Sequence, residues 1–190
     1  VQDVPVEKAQ RTGGHRWRGS YWTGPGQVVD DWPEGDDSAI VMDRALDFIK
    51  RKSKTGDPFL SLIWFHASHT PIVAGNKDRK PFKEMPIEAQ HWFGCVHAMD
   101  RQVGRLRKEL KRMGIADNTI VIYGTDNGPH MNTWPDAAMT PFRGEKDMNF
   151  EGAFRTPAFV RWPSQIKAGT ISNEIISNLD WAPTDRKSAG

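Results

Sequence analysis

The chain of 190 residues has an ordinary globular composition, 37% hydrophobic and 26% charged, which is enough for one sizeable core. Its formal net charge of +2 and the lack of a long basic run argue against a nucleic-acid partner, and without an apolar run of 18 residues we expect no membrane-spanning helix. Cys95 is the single cysteine, which excludes an intrachain disulfide.

Residues 1–37 are rich in glycine, proline, arginine and tryptophan without a regular period, which predicts a loop-rich segment separate from the domain at 38–190. Two interpretations of its aromatic residues stay open. Rings such as Trp17 beside Arg16 and Arg18 could form a platform for a sugar or aryl substrate. The simpler interpretation is that they pin a long loop to the body of the domain.

A helix is predicted to begin at Ser38, where Asp36, Asp37 and Ser38 itself are candidates for the N-terminal cap. Its apolar residues recur at helical spacing and form one wide stripe: Val41, Met42, Ala45, Leu46, Phe48 and Ile49. The basic residues at 50–54 suit the negative end of the helix dipole, and Gly56 is predicted to end the helix.

Residues 59–65 are almost continuously apolar, which is typical of a strand covered on both faces in a parallel sheet. The run ends in the polar residues 66–71, which include His66 and His69. This strand therefore delivers histidines to its carboxyl end, where open α/β sheets bind ligands. We assign His66 a structural role.

Residues 72–86 are polar and contain proline, and we interpret them as a surface excursion. The helix that follows has the clearest period in the chain, with apolar residues at spacings of three and four: Val96, Met99, Val103, Leu106, Leu110 and Met113. It is predicted to end at Gly114.

The β-branched run at 119–123 predicts a buried strand that delivers Asp126 and Asn127 to its carboxyl end, with Gly128 and Pro129 as the turn. A carboxylate and an amide carbonyl are hard oxygen ligands, suited to Ca²⁺ or Mg²⁺. The dipeptide alone is interpreted more simply as an Asx-type turn without a metal.

Residues 129–156 lack a regular period and contain two charged stretches, 143–146 and 151–155. Glu151 and Arg155 are four residues apart, so we predict that they pair with one another or with the backbone and shape the loop. Residues 157–162 predict a further short strand.

These segments, in this order, resemble the sulfatase family of the alkaline phosphatase-like superfamily. The resemblance covers most of the chain from Trp22 onward and is strongest in four stretches, at 65–71, 98–106, 117–128 and 143–157. It implies an α/β fold, a partial sulfatase fold with a mostly parallel β-sheet and flanking helices. Residues 38–190 are then part of a catalytic domain that is truncated at both ends.

The resemblance also assigns residues to a site. Asp126 and Asn127 match the later pair of ligands of the family's divalent metal, usually Ca²⁺. Lys146 and His69 match residues that contact the sulfate ester in sulfatases, and His130, beside the metal pair, is a further substrate-binding candidate. A fixed cation, an ammonium group and an imidazolium N–H would stabilise the charge that develops on the sulfate and leaving oxygens.

Two parts of the family's site have no match in this sequence: a Cys/Ser-x-Pro/Ala-x-Arg segment whose cysteine or serine becomes formylglycine, and an earlier Asp-Asp pair of metal ligands. Cys95 lacks the proline and the arginine, and Asp30-Asp31 and Asp36-Asp37 lie in a predicted loop rather than after an opening strand. We therefore expect an internal piece of a longer sulfatase, with an incomplete metal site and no turnover of its own.

The function implied by the resemblance is hydrolysis of sulfate esters by the parent protein, acting on a sulfated small molecule or glycan. Two alternatives stay open. One is a phosphomonoester or phosphonate hydrolase of the same superfamily, and the other is an inactive protein that binds sulfated glycans through Lys146, Arg143 and the tryptophan-rich segment. By resemblance to the family, the parent protein is expected to be secreted or periplasmic.

Overall fold

The computed structural model describes residues 21–24, 27–29, 35–70, 72–130 and 140–181. Numbered in chain order, the elements are β1 (Tyr21–Gly24), β2 (Gln27–Val29), α1 (Ser38–Thr55), α2 (Asn76–Arg79), α3 (Ile87–Arg112), β3 (Val121–Gly124), α4 (Glu151–Phe154) and β4 (Ala158–Arg161). Short 3₁₀ turns lie at Lys80–Phe82, Ala116–Asn118 and Asn178–Asp180. No described helix combines the length and the apolar character that crossing a bilayer requires.

Helix α1 begins and ends at the predicted residues. The Asp36 carboxylate accepts hydrogen bonds from the backbone N–H of Ser38 (3.1 Å) and from its hydroxyl (3.0 Å), whereas Asp37 occupies the N-cap position without a capping side-chain bond. Gly56 closes the helix in the left-handed conformation, at φ 72°, which glycine adopts without strain. The structure therefore confirms this helix and identifies Asp36 as the side chain that caps it.

Helix α3 is confirmed as well and stops before Gly114, but its buried face is rotated from the predicted stripe. Between residues 95 and 103 the buried residues lie one position before the predicted ones: Cys95, Ala98 and Gln102 rather than Val96, Met99 and Val103. Nδ1 of the buried His91 accepts the backbone N–H of Ala74 at 3.0 Å, and burial lowers the pKa of His91. A polar residue thus helps set the buried face, which a hydrophobic pattern does not detect.

The core lies between α1 and α3. Its buried residues are Met42, Leu46 and Ile49 of α1 and Leu106 and Leu110 of α3. Side chains of the extended segment 59–65 and Val121 of β3 pack against this cluster. Each such side chain contributes about 1.5–3 kcal/mol when fully buried. Both segments that lead to candidate site residues therefore rest on the same core.

Residues 59–65 are extended but do not form a strand, because no described backbone pairs with them. Three inward side chains pack on the core: Phe59, Ile63 and Phe65. Three outward side chains are exposed: Leu60 by 67%, Leu62 by 69% and Trp64 by 81%. The prediction of a strand covered on both faces is therefore wrong, because only one face has the helix pair against it.

Strands β3 and β4 pair in an antiparallel ladder, from Val121 opposite Arg161 to Gly124 opposite Ala158. The two predicted strands are confirmed, but β3 is not buried, since its residues alternate between half-buried and exposed. The predicted parallel pairing does not occur among the described strands, where β1 and β2 are antiparallel too. Sheets of α/β proteins commonly carry an antiparallel edge strand, and β4 has that relation to β3.

The β1–β2 ladder lies inside the segment predicted to be loop. The ladder shifts register between Trp22 and Gly24. The rest of residues 1–37, apart from 35–37, lies outside the described residues, and this includes Trp17 and Asp30-Asp31. The division of the chain at residue 37 stays a prediction.

Residues 72–86 are more than a surface excursion, which corrects the prediction for this segment. Asp78 of α2 is buried, and its carboxylate accepts hydrogen bonds from Arg101 Nε (2.7 Å) and Nη2 (2.8 Å) of α3. Nδ1 of His97 lies 3.1 Å from the same carboxylate. These charge-assisted bonds attach α2 to α3 and compensate for the burial of Asp78.

The Asp36 carboxylate makes a pH-dependent contribution to stability. Burial raises the pKa of Asp36 from 3.8 to about 6, so folding favours its protonated form. This contribution is fully present below pH 3.8 and is lost as the pH rises through 6. Asparagine keeps the cap without the charge. The free energy of unfolding of Asp36→Asn, relative to wild type, should therefore be about 1 kcal/mol higher at pH 8 than at pH 5, measured by urea unfolding.

The matched control is Asp43→Asn, on the exposed face of the same helix, where the carboxylate pairs with Arg105 at 2.6 Å. Its stability difference should change by less than about 0.5 kcal/mol over the same pH range. An Asp36→Asn effect that does not depend on pH would contradict the argument.

Candidate functional site

The turn after β3 presents the predicted pair of oxygen ligands. Oδ1 of Asp126 accepts the backbone N–H of Asn127 at 3.0 Å, and the amide Nδ2 of Asn127 donates to the carbonyl of Gly128 at 2.8 Å. Because the nitrogen end of the amide is used within the turn, its oxygen end is left for a ligand. Asp126 is exposed and Asn127 is half-buried.

The donor set of this turn suits a hard divalent cation. One carboxylate and one amide carbonyl are the ligands that Ca²⁺ and Mg²⁺ take, but Ca²⁺ binds six to eight oxygens. Within the described residues there is no group of three or more His, Cys, Asp or Glu side chains that could hold a metal. Asp126 and Asn127 therefore fit part of a coordination shell, whose remaining oxygens have to come from outside this turn.

Backbone hydrogen bonds join this turn to the segment that carries Lys146. The N–H of Gly128 donates to the carbonyl of Ala153 at 2.7 Å, and the N–H of Lys146 donates to the carbonyl of Pro129 at 2.8 Å. Within the second segment, the N–H of Gly152 donates to the carbonyl of Arg143 at 2.8 Å. These bonds place the half-buried Lys146 beside the Asp126–Asn127 turn.

Two glycines make this approach possible. A Cβ atom on Gly128 would lie 1.9 Å from the carbonyl oxygen of Gly152, and a Cβ atom on Gly152 would lie 2.2 Å from that of Gly144. Both distances are far below van der Waals contact, and the neighbouring atoms are backbone, which cannot rotate away. Only a hydrogen fits at either position, so the close approach depends on glycine.

Stacked and paired side chains hold the Lys146 segment in shape. The guanidinium of Arg143 lies 4.0 Å from the centre of the Phe150 ring, and that of Arg155 lies 4.2 Å from the centre of the Phe142 ring. Arg155 also pairs with Glu151 at 2.6 Å, which confirms the predicted pair. Such cation–π contacts contribute about 0.5–1 kcal/mol each at exposed sites.

His69 lies in a separate turn and is exposed. Its Nδ1 is 2.9 Å from the carbonyl of Thr70, and because a carbonyl can only accept, Nδ1 carries the proton. The ring then presents Nε2, which is an acceptor when the histidine is neutral and a donor when it is protonated. Among the described residues, His69 makes hydrogen bonds only within its own turn, so none joins it to Lys146 or Asp126.

His130 is half-buried and directly follows Pro129, whose carbonyl accepts the backbone N–H of Lys146. The structure thus brings the backbone at 126–130 and the segment of Lys146 together, while the roles of all five predicted site residues, His69 included, remain predictions. The close contacts of Gly128 with Gly152 and of Gly152 with Gly144 were not predicted from the sequence. The signal for them in the sequence is the presence of Gly144 and Gly152 on either side of Lys146.

Cys95 is buried in α3, and burial raises the pKa of its thiol to about 12. A nucleophilic cysteine needs a lowered pKa, because the thiolate is the reactive form. Cys95 is therefore a structural residue, in agreement with the missing proline and arginine around it.

Comparisons with known proteins agree with the resemblance. The family model described as Sulfatase matches residues 7–187. The chain is 30% identical over 178 residues to N-acetylgalactosamine-6-sulfatase of Canis lupus familiaris, covering 89% of this chain and 33% of that protein. It is 31% identical over 153 residues to arylsulfatase H of Homo sapiens, covering 77% of this chain and 26% of that protein.

Among solved structures, the chain is similar to Ps i-CgsB in complex with k-i-k-neocarrahexaose, with a TM-score of 0.80 and 28% identity; the match covers 86% of this chain and 36% of that chain. This likeness confirms the α/β, alkaline phosphatase-like fold class. The chain spans 33% of the length of the N-acetylgalactosamine-6-sulfatase and 26% of the length of arylsulfatase H.

The glycine contact predicts that Gly152→Ala destabilises the chain by about 1–3 kcal/mol, because the new methyl group meets backbone oxygens. The matched control is Gly104→Ala in α3, where nothing lies within 4 Å of the added carbon. The free energy of unfolding of this control should rise by about 0.5–1 kcal/mol, because alanine has a higher helix propensity than glycine. Urea unfolding of both variants decides the point, and equal effects would refute the packing argument.

Proposed function

The chain belongs to the sulfatase family, and on that premise we propose that it supplies part of the active site of a metal-dependent sulfuric ester hydrolase. The observation that carries the proposal is the backbone link between the Asp126–Asn127 turn and the Lys146 segment, through Pro129 and Ala153. This link joins the turn that carries two hard oxygen ligands to the segment that carries Lys146, which supports a role for both in binding one sulfate ester.

In this proposal each residue has a separate task. Asp126 and Asn127 would hold the cation, for which Ca²⁺ is the leading candidate because carboxylate and amide carbonyl oxygens are its usual protein ligands. When bound, the cation adds positive charge beside the sulfate oxygens. Lys146 binds a sulfate oxygen as a fixed point charge. This interaction becomes more stabilising as negative charge develops on the oxygen in the transition state.

His69 has a role only in its protonated form. With Nδ1–H bonded to Thr70, the ring can donate from Nε2 only when Nε2 also carries a proton. A protonated His69 would then stabilise the sulfate or the leaving oxygen, and His130 is the second candidate for contact with substrate. The nucleophile of this proposal is a formylglycine from a Cys/Ser-x-Pro/Ala-x-Arg segment, which is not part of these 190 residues.

Sulfated glycans are the substrate class that we propose. One relative is named N-acetylgalactosamine-6-sulfatase, and one similar structure holds k-i-k-neocarrahexaose. Both names denote carbohydrates, which supports a sugar sulfate as the natural substrate.

Removing the Lys146 ammonium tests the proposal in the natural protein that contains this chain. Lys146→Ala should lower kcat for 4-nitrophenyl sulfate by about 10²-fold or more, because it removes a charge used mainly in the transition state. Lys167→Ala, in an exposed turn, is the matched control and should leave kcat unchanged. Faster wild-type turnover of 4-nitrophenyl phosphate than of the sulfate would instead favour a phosphomonoesterase.

The metal assignment is tested on this chain by calorimetric titration with Ca²⁺. Two protein ligands predict binding in the millimolar range, and Asp126→Ala should abolish it. Asp117→Ala is the matched control, since Asp117 is an exposed acid in a different turn. Binding that survives Asp126→Ala would place the cation elsewhere and refute this assignment.

A further inference from the structure

The short segment in front of α1 is fixed in place by three sets of contacts. Asp36 bonds to Ser38, as described above, and the carbonyl of Asp37 accepts the backbone N–H of Val41 at 3.0 Å, which makes Asp37 the first acceptor of the helix. A Cβ atom on Gly35 would lie 2.2 Å from the backbone nitrogen of Gly75. Residues 35–37 are therefore held between the helix and residues 74–75.

The Asp37 side chain reaches from this segment to the end of the extended run 59–65. Its carboxylate is bonded to Nδ1 of His66, the first residue after that run. The carboxylate is only 8% exposed, whereas the His66 side chain is 73% exposed. A buried carboxylate thus holds an exposed ring, so burial of the imidazole does not explain the position of His66.

His66 in turn closes the turn that carries His69. The carbonyl of His66 accepts the backbone N–H of His69 at 2.7 Å, and the ring of His69 is oriented by the carbonyl of Thr70 at 2.9 Å. A continuous series of contacts therefore runs from the N-terminus of α1, through Asp37 and His66, to the imidazole of His69. Residues 74–75, beyond the turn, lie against Gly35 of the same segment.

We propose that Asp37 is a positioning residue for His69: it holds His66, and His66 holds the turn from which the His69 ring projects. The role of His69 on the substrate rests on the proposed function, but the anchor itself does not. A charge-assisted hydrogen bond that a buried carboxylate accepts is strong and directional, so it fixes the orientation of the donor. Asp37 and His66 touch no reacting atom in this account.

The anchor is tested first without turnover, by amide hydrogen exchange of this chain. Asp37→Ala and His66→Ala should each speed exchange of the His69 amide by about tenfold, and the double variant should add little to either. Amides in the C-terminal half of α3 should not change. Asp37→Asn retains an acceptor oxygen and should recover most of the protection.

His66→Ala keeps the test decisive if Asp37→Ala does not fold, because the exposed His66 ring leaves no cavity when it is removed. Unchanged exchange at His69 in His66→Ala would overturn the anchor. Additive effects in the double variant would also overturn it, since they would mean that the two side chains act independently.

The positioning role is tested by kinetics of the natural protein that contains this chain, with 4-nitrophenyl sulfate as the probe. Asp37→Ala and His66→Ala should lower kcat by about tenfold with KM within about threefold, and Asp37→Asn should restore most of kcat. Faster exchange with unchanged kcat would show that the anchor is structural only and would overturn the proposal. A wild-type protein without sulfatase turnover would refute the proposed function, while the exchange data would still decide the anchor.

Discussion

The close contact between the backbones of Gly128 and Gly152 is the constraint on which the candidate site depends. There is no room for a side chain between these two backbone segments. The carbonyl of Ala153 can therefore accept the N–H of Gly128, and the carbonyl of Pro129 can accept the N–H of Lys146. The Asp126–Asn127 turn and the segment that carries Lys146 are neighbours for this reason. Their proximity is set by the main chain, which costs less flexibility than long side chains holding one another.

The parts of the fold that the sequence predicts well are those fixed by local chemistry. Helix α1 follows from its apolar period and from Asp36 and Gly56, and the Glu151–Arg155 pair follows from its spacing of four. The Asp126–Asn127 turn was identified in the same way, from a β-branched run that stops at glycine and proline. In each case the residues that decide the structure lie within a few positions of one another.

The parts that were missed are decided by contacts between distant residues. The buried face of α3 is set in part by His91, whose partner Ala74 lies in another segment, and the partner of Gly128 lies beyond Lys146. The prediction of strand pairing fails for the same reason. Residues 59–65 have the composition of a central strand, yet Leu60, Leu62 and Trp64 face outward with no described backbone beside them. Hydrophobicity predicts that a segment is extended but does not specify its neighbours.

The two adjacent carboxylates in front of α1 are chemically the same but have different partners and different structural roles. Asp36 faces the helix and accepts from Ser38, and because burial raises its pKa to about 6 it is only partly charged in mildly acidic solution. Asp37 faces the other way, and its carboxylate is bonded to Nδ1 of His66. One carboxylate therefore starts the helix while the other links it to the His69 turn. The same core that supports α1 also supports residues 59–65, so the helix and the turn are held at both ends of this link.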